Sequence, residues 1–104
     1  VVDNPDGSDG AFVNWVLVNI DGTTNELVEG ARPEKAVEAL NTSKKTAYVP
    51  PCPPKGERHR YRFTLYALDE RLPLQQGAPL KEALRTIAEH TVGRGRITGN
   101  FGTR

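Results

Sequence analysis

The segment Ala47–Asp69, AYVPPCPPKGERHRYRFTLYALD, constrains this chain more than any other. Pro50, Pro51, Pro53 and Pro54 surround Cys52. Proline fixes φ and restricts the residue before it, so this loop has few conformations to lose on ordering. Beyond it the pattern turns to period two. Tyr61, Phe63, Leu65 and Ala67 point one way, and Arg60, Arg62, Thr64 and Tyr66 the other. A stiff loop therefore delivers His59 and Tyr61 to one face at the head of a strand. Two readings follow: a binding pocket held still, or a rigid connection into a core strand.

The chain has 104 residues, the length of one domain, and 1–104 is read as a single domain. Eight prolines and ten glycines imply many turns and short strands. A net charge of +1 argues against a nucleic-acid binder held by bulk charge. One cysteine excludes an intrachain disulfide. No apolar run approaches the roughly 18 residues that span a bilayer. No leader pattern is present, although the first residue is Val1. A cytoplasmic location is expected, with periplasm and secretion left open.

Val1 and Val2 read as a strand end that enters a turn, Asp3 to Gly10. Asp3, Asp6 and Asp9 do not make a calcium loop, because Pro5 and Gly7 fall where that pattern needs ligands. Ala11–Ile20, AFVNWVLVNI, reads as one strand apolar on both faces. Asn14 is its oddity: an amide among Phe12, Val16 and Val18 must find partners. It is either tied to a neighbouring loop or the wall of a pocket. Asn25–Gly30 is expected to be a short irregular or helical piece. Pro33–Leu40 is expected to form one to two helical turns, with Ala36, Val37 and Leu40 on one side. A turn and a short extended piece through Leu72 and Leu74 should follow Asp69. In Pro79–Thr91, Leu80, Ala83, Leu84, Ile87 and Ala88 keep helical spacing, and Gly93 suits a C-terminal cap. The tail through Ile97–Phe101 reads as a last strand.

No catalytic constellation is complete, and two histidines and one cysteine do not form a usual structural zinc site. A Cys52–His59 nucleophile pair is conceivable from spacing, but no third group to orient it is evident.

Pro51-Cys52-Pro53-Pro54-Lys55-Gly56 followed by His59-Arg60-Tyr61 resembles the GPCPPxG…HRY signature of the phosphatidylethanolamine-binding protein family, in its bacterial Raf-kinase-inhibitor-like branch. Val1-Val2-Asp3-Asn4-Pro5-Asp6 is similar to that family's DPDAP segment. Asn14-Trp15-Val16 stands where bacterial members have HWV. Glu89–Val92 and Ile97–Gly99 resemble the family's closing segment. The resemblance covers essentially the whole chain. Family members usually carry strands before DPDAP, so a piece of a longer chain and a shortened relative are both open. Unpaired sheet edges in the latter would invite dimerisation.

The resemblance implies a mostly-β sandwich with one or two peripheral helices. It also implies a small cavity that receives anions such as phosphate-bearing head groups. Its walls would be Asn4, Asp6, Asn14, Pro53, His59 and Tyr61. A histidine, a tyrosine hydroxyl and side-chain amides can supply directed donors to an anion. Asn4 and Asn14 replace an acid and a histidine of the family pattern, which predicts weaker or differently selective binding. The expected function is non-catalytic binding of a small anionic ligand, with contacts to a protein kinase or protease implied by family analogy. No cofactor, metal or nucleic acid is expected, and a homodimer is among the expected partners. Two alternatives stand: an inhibitor module with a vestigial pocket, and a small hydrolase or lyase using His59 with Asp6.

Overall fold

The computed structural model describes residues 1–7, 10–22 and 35–102. In chain order the elements are β1 (Val2–Asn4), β2 (Phe12–Trp15), β3 (Leu17–Val18), β4 (Val37–Glu38), β5 (Arg58–Leu68), α1 (Leu80–His90) and β6 (Thr91–Gly102). The expected piece at Asn25–Gly30 lies outside the described residues. The fold is mostly β with one helix among the described residues, as the sequence leads one to expect.

The proline-rich loop does lead into the longest paired strand. β5 and β6 run antiparallel over eleven residue pairs, from Arg58↔Gly102 to Leu68↔Thr91. β1 adds to the other side of β5, and β2 to β1, giving the order β2-β1-β5-β6. β3 and β4 form a separate two-stranded sheet.

Ala11–Ile20 is therefore not one strand. It divides at Val16, which is fully buried, and its halves join different sheets. An irregularity in the β1–β2 register begins the departure: Val2 faces Trp15 while Asp3 faces Val13, leaving Asn14 as the extra residue of a bulge. Asn19, at φ 59°, ends the run. Its amide exchanges two hydrogen bonds with the backbone of Leu72, at 2.9 and 2.8 Å. The two apolar faces read from sequence reflect a chain passing between sheets rather than a single central strand.

The helical reading of Pro33–Leu40 fails over its described part. Lys35 has φ 69°, and Val37 and Glu38 pair with Val18 and Leu17. The Ala36-Val37-Leu40 spacing suited a helix, but strand pairing with β3 offered backbone partners that two isolated turns could not retain. The other helix is present, but Pro79 is its N-cap rather than its first turn. Gly93 does not cap it. The chain turns extended at Thr91 and enters β6 directly, and Gly93 lies in that strand opposite Ala67. The Thr91 hydroxyl donates to the Ile87 carbonyl at 2.6 Å, closing the last turn.

The core joins Val13, Val16, Val18, Ala39, Leu72, Leu74, Ala83 and Ile87. Tyr66, Leu68 and Leu84 pack against it. This settles which face of β5 is inside. The alternation is as read, but beyond Tyr61 the apolar side is the outer one. Phe63 and Leu65 are exposed, whereas Thr64 is buried and Tyr66 packs on the core. The helix covers the side that carries Arg62, Thr64 and Tyr66.

Candidate functional site

The loop before β5 is held by its neighbours as well as by its prolines. Thr42 bonds β2 twice: its N–H donates to the Val13 carbonyl at 3.0 Å, and its hydroxyl accepts from the Val13 N–H at 2.7 Å. Asn41 is buried and donates to the carbonyls of Asn14 and Ala47, at 3.2 and 2.9 Å. The Val49 N–H then donates to the Asn14 carbonyl at 3.1 Å. Tyr48 leans edge-on against Trp15, with centroids 5.7 Å apart. Thus β2 fixes where the proline run begins. At its end Gly56, at φ 83°, permits the turn closed by the Glu57 N–H on the Pro54 carbonyl at 3.0 Å.

That turn brings Glu57 back to His59. The His59 ring is buried, and both its nitrogens are engaged. The Asn4 Nδ2 lies 2.9 Å from Nδ1, and the Glu57 Oε1 lies 2.9 Å from Nε2. Asn4 Oδ1 accepts from the Asp6 N–H at 2.9 Å, which fixes its amide so that NH₂ faces the ring. Nδ1 therefore accepts, and Nε2–H donates to the Glu57 carboxylate. Glu57 itself is 55% exposed.

Asp6 stands beside this pair. Its carboxylate receives the Arg60 N–H at 2.8 Å and the Arg60 guanidinium through Nε and Nη2, at 3.0 and 2.8 Å. Hydrogen bonding to Arg60 holds the Asp6 carboxyl well below the usual carboxylate range. Tyr61 is buried one strand position along the same face. Burial pushes its phenol up, opposed in part by the nearby Cys52 backbone. The ring meets Phe101 edge-on at 6.5 Å. Pro53 is buried in the same loop.

The structure thus joins Asn4, Asp6 and His59 directly and brings Tyr61 to them through the proline loop. Asn14 is attached one step further out. Its Nδ2 donates to the Val49 carbonyl at 2.9 Å, so its amide is tied to a loop, the first of the two roles open to it. Its Oδ1 is buried without a partner among the described residues. Sequence reasoning passed over Glu57 and Arg60. Arg60 was legible only as a residue on the strand face opposite Tyr61. Glu57 could have been found from Gly56, which marks a turn able to fold its neighbour onto His59.

Asp3 pairs with Arg62 rather than joining Asp6. Among the described residues no group of three acidic, histidine or cysteine side chains is placed to hold a metal ion. A cleft of about 260 Å³ opens on the other face of the sheet, under α1, between Val13, Arg62, Tyr66, Leu84 and Ile87. None of the six expected wall residues lines it.

The class defined by the geometry is a mostly-β chain with a buried histidine–amide pair beside a proline-rich loop. The comparisons with known proteins specify it. The family model described as Phosphatidylethanolamine-binding protein matches residues 1–102, and the chain belongs to that family. A UPF0098 protein of Chlamydia pneumoniae is 36% identical over 97% of this chain and 69% of its own length. A Mycobacterium tuberculosis protein bearing the lipoprotein name LppC is 36% identical, and the chain spans 51% of it. Among solved structures, the phosphatidylethanolamine-binding protein homologue CT736 of Chlamydia trachomatis superposes with a TM-score of 0.88 at 32% identity. It is matched over 99% of this chain and 69% of its own. The fold also matches Escherichia coli YbcL, with a TM-score of 0.89 at 23% identity. No helix among the described residues is long and apolar enough to cross a membrane.

Proposed function

We propose that this chain is a non-catalytic binding module that receives a small anion, a phosphate or a phospholipid head group, at His59. The observation that carries the reading is the Glu57 contact. A buried imidazole directs its N–H outward to a carboxylate on a half-exposed side chain, 2.9 Å away. An anion of the chain itself stands where an external one would be received. Tyr61 supplies a second donor. Burial raises its pKa, which keeps the hydroxyl protonated and able to donate.

The hydrolase alternative paired His59 with Asp6, but Asp6 is engaged by Arg60, and the partners of the ring are Asn4 and Glu57. The vestigial-pocket alternative draws on one fact: the ring nitrogens of His59 already have protein partners. Regulation of a kinase or protease by direct contact, and a cytoplasmic location, belong to the same proposal. The lipoprotein name of the mycobacterial relative makes cell fractionation the direct check on location.

The test is calorimetric titration of phosphate and phosphoethanolamine into wild type, His59→Ala, Tyr61→Phe and Glu57→Ala. Saturable binding that His59→Ala abolishes and Glu57→Ala strengthens supports the reading. Absence of binding in wild type and in Glu57→Ala alike, with both folded, overturns it in favour of a protein-interaction module.

A further inference from the structure

The hydrogen bonds behind His59 fix more than the position of the ring. A backbone N–H can only donate, so the Asp6 N–H at 2.9 Å claims the Asn4 oxygen. That leaves the Asn4 NH₂ against Nδ1, also at 2.9 Å. Asp6 is itself anchored on β5, where its carboxylate receives the Arg60 N–H and guanidinium. Asn4 and His59 are both buried, so turning the amide over would strand polar groups away from water. Two hydrogens cannot share the space between Nδ2 and Nδ1. Nδ1 is therefore bare, and the neutral ring carries its one hydrogen on Nε2.

We infer that Asn4 is a positioning residue that decides which ligand groups His59 accepts, an inference that rests on the reading of His59 as an anion receiver. Nε2 is the outward nitrogen, since its partner Glu57 is half-exposed. With the tautomer set from behind, this nitrogen is a donor and not an acceptor. A fully ionised phosphate or phosphomonoester offers only acceptors and suits it. An ammonium group brings hydrogen against hydrogen and is turned away. A zwitterionic head group therefore enters phosphate first, with its amine left outside. The ring also donates while neutral, so anion binding does not require an imidazolium.

An acid at this position reverses the arrangement. In Asn4→Asp one carboxylate oxygen still accepts from the Asp6 N–H, and the other demands a hydrogen on Nδ1. The neutral ring then turns a bare Nε2 outward, and it donates to an anion only with a second proton. The substitution exchanges one nitrogen for oxygen and keeps the shape, so it separates hydrogen direction from packing. The charged and titratable groups around the ring are Glu57, Asp6 with Arg60, and Tyr61 with Cys52 beside it. Above neutral pH the carboxylates are ionised. Arg60 is cationic, and burial keeps Tyr61 protonated. Placing Cys52→Ser in every chain removes the thiol, which leaves the ring to titrate.

The test is heteronuclear NMR of the imidazole nitrogens, with His90→Gln to assign the signals, joined to calorimetric titration of phosphate and of ethanolamine. Both run from about pH 7.5 to about pH 9.5, above the ordinary histidine range. The chain with Asn4 should keep its hydrogen on Nε2, bind phosphate with less than about a twofold change, and ignore ethanolamine. Asn4→Asp should carry a hydrogen on Nδ1 throughout, and its phosphate affinity should fall at least about tenfold as Nε2 loses its own. A hydrogen on Nδ1 in the chain with Asn4 overturns the inference, whether or not Asn4→Asp folds. So does a folded Asn4→Asp with Nδ1 still bare, or ethanolamine that shifts the His59 signals. Failure of the anion-binding reading looks different: the ring hydrogens lie as assigned and move in Asn4→Asp, yet no chain binds phosphate. That result overturns the choice of ligand and leaves Asn4 as the residue that sets the tautomer.

Discussion

Removing the Glu57 carboxylate should tighten phosphate binding. In the free protein Nε2–H of His59 is committed to Glu57 Oε1 at 2.9 Å, so an incoming anion must displace a charge-assisted hydrogen bond and accept a carboxylate nearby. That bond alone would be worth about 1.5–3 kcal/mol if fully buried. Glu57 is 55% exposed, so water takes over much of its solvation when it swings away, and exposed pairs retain about 1 kcal/mol or less. The incoming anion remakes the bond to His59. What remains against binding is the displaced pair and the residual repulsion, together about 1 kcal/mol, or roughly fivefold in affinity. Glu57→Gln removes the charge but keeps an acceptor for His59, and Glu57→Ala removes both. Phosphate titration should therefore rank the variants Ala, then Gln, then wild type, with the tightest first. Following the His59 ring protons by NMR assigns the effect to that side chain. Unchanged or weaker binding in both variants would refute the reasoning, since it would make Glu57 a bystander or a support of the ring.

His59→Ala should destabilise by about 2–3 kcal/mol in urea unfolding, because it leaves a cavity and strands the Asn4 amide. Gly56→Ala should cost about 1 kcal/mol in urea unfolding from its left-handed φ alone, since nothing lies within 4 Å of the added carbon. Asp6→Asn should lower the melting temperature at neutral pH. The Asp6 carboxyl is depressed in the fold, so its contribution is present above the ordinary value near 3.8 and fades as pH falls below it; the gap between wild type and Asp6→Asn should close in acid. In spectrophotometric titration, Tyr48 and Tyr61 should ionise above the ordinary value of 10.0. The support that burial gives the neutral Tyr61 is present below that pH and is lost as pH rises past its elevated pKa; Tyr61→Phe removes one of the two late steps.

The sequence marked the loop, the long strand after it, the helix and the polar residues that gather at its head, because proline spacing and hydrophobic period are local signals. Three things were not local. Thr64 and Tyr66 face the core, and Phe63 and Leu65 do not, because α1 settles on one side of β5 from about twenty residues away. Alternation reveals that two faces exist but not which one will be covered. Val37 and Glu38 became a strand because β3 offered them partners, and pairing across a long segment leaves no trace in helical spacing. Asn14 left two roles open, a tie to a loop and a pocket wall; that its Nδ2 reaches the Val49 carbonyl follows from a bulge, and bulges are set by register rather than by residue type. For Asn4, Asp6, His59 and Tyr61 the resemblance told more than the residues did. Spacing alone gave no reason to bring the start of the chain to residue 59.

The junction at Thr91, where α1 becomes β6 without an intervening loop, also governs what changes of length the chain can absorb. Surface loops normally take up an inserted or deleted residue. Here there is no such buffer over 23 consecutive residues, from Leu80 to Gly102. One residue added at the junction would shift β6 by a single step against β5. Arg94 and Arg96 would then stand on the face of Phe63 and Leu65, and Ile97 and Phe101 on the opposite one. Length variation in this part of the molecule should therefore be confined to the far ends of the two elements, with the seam between them fixed.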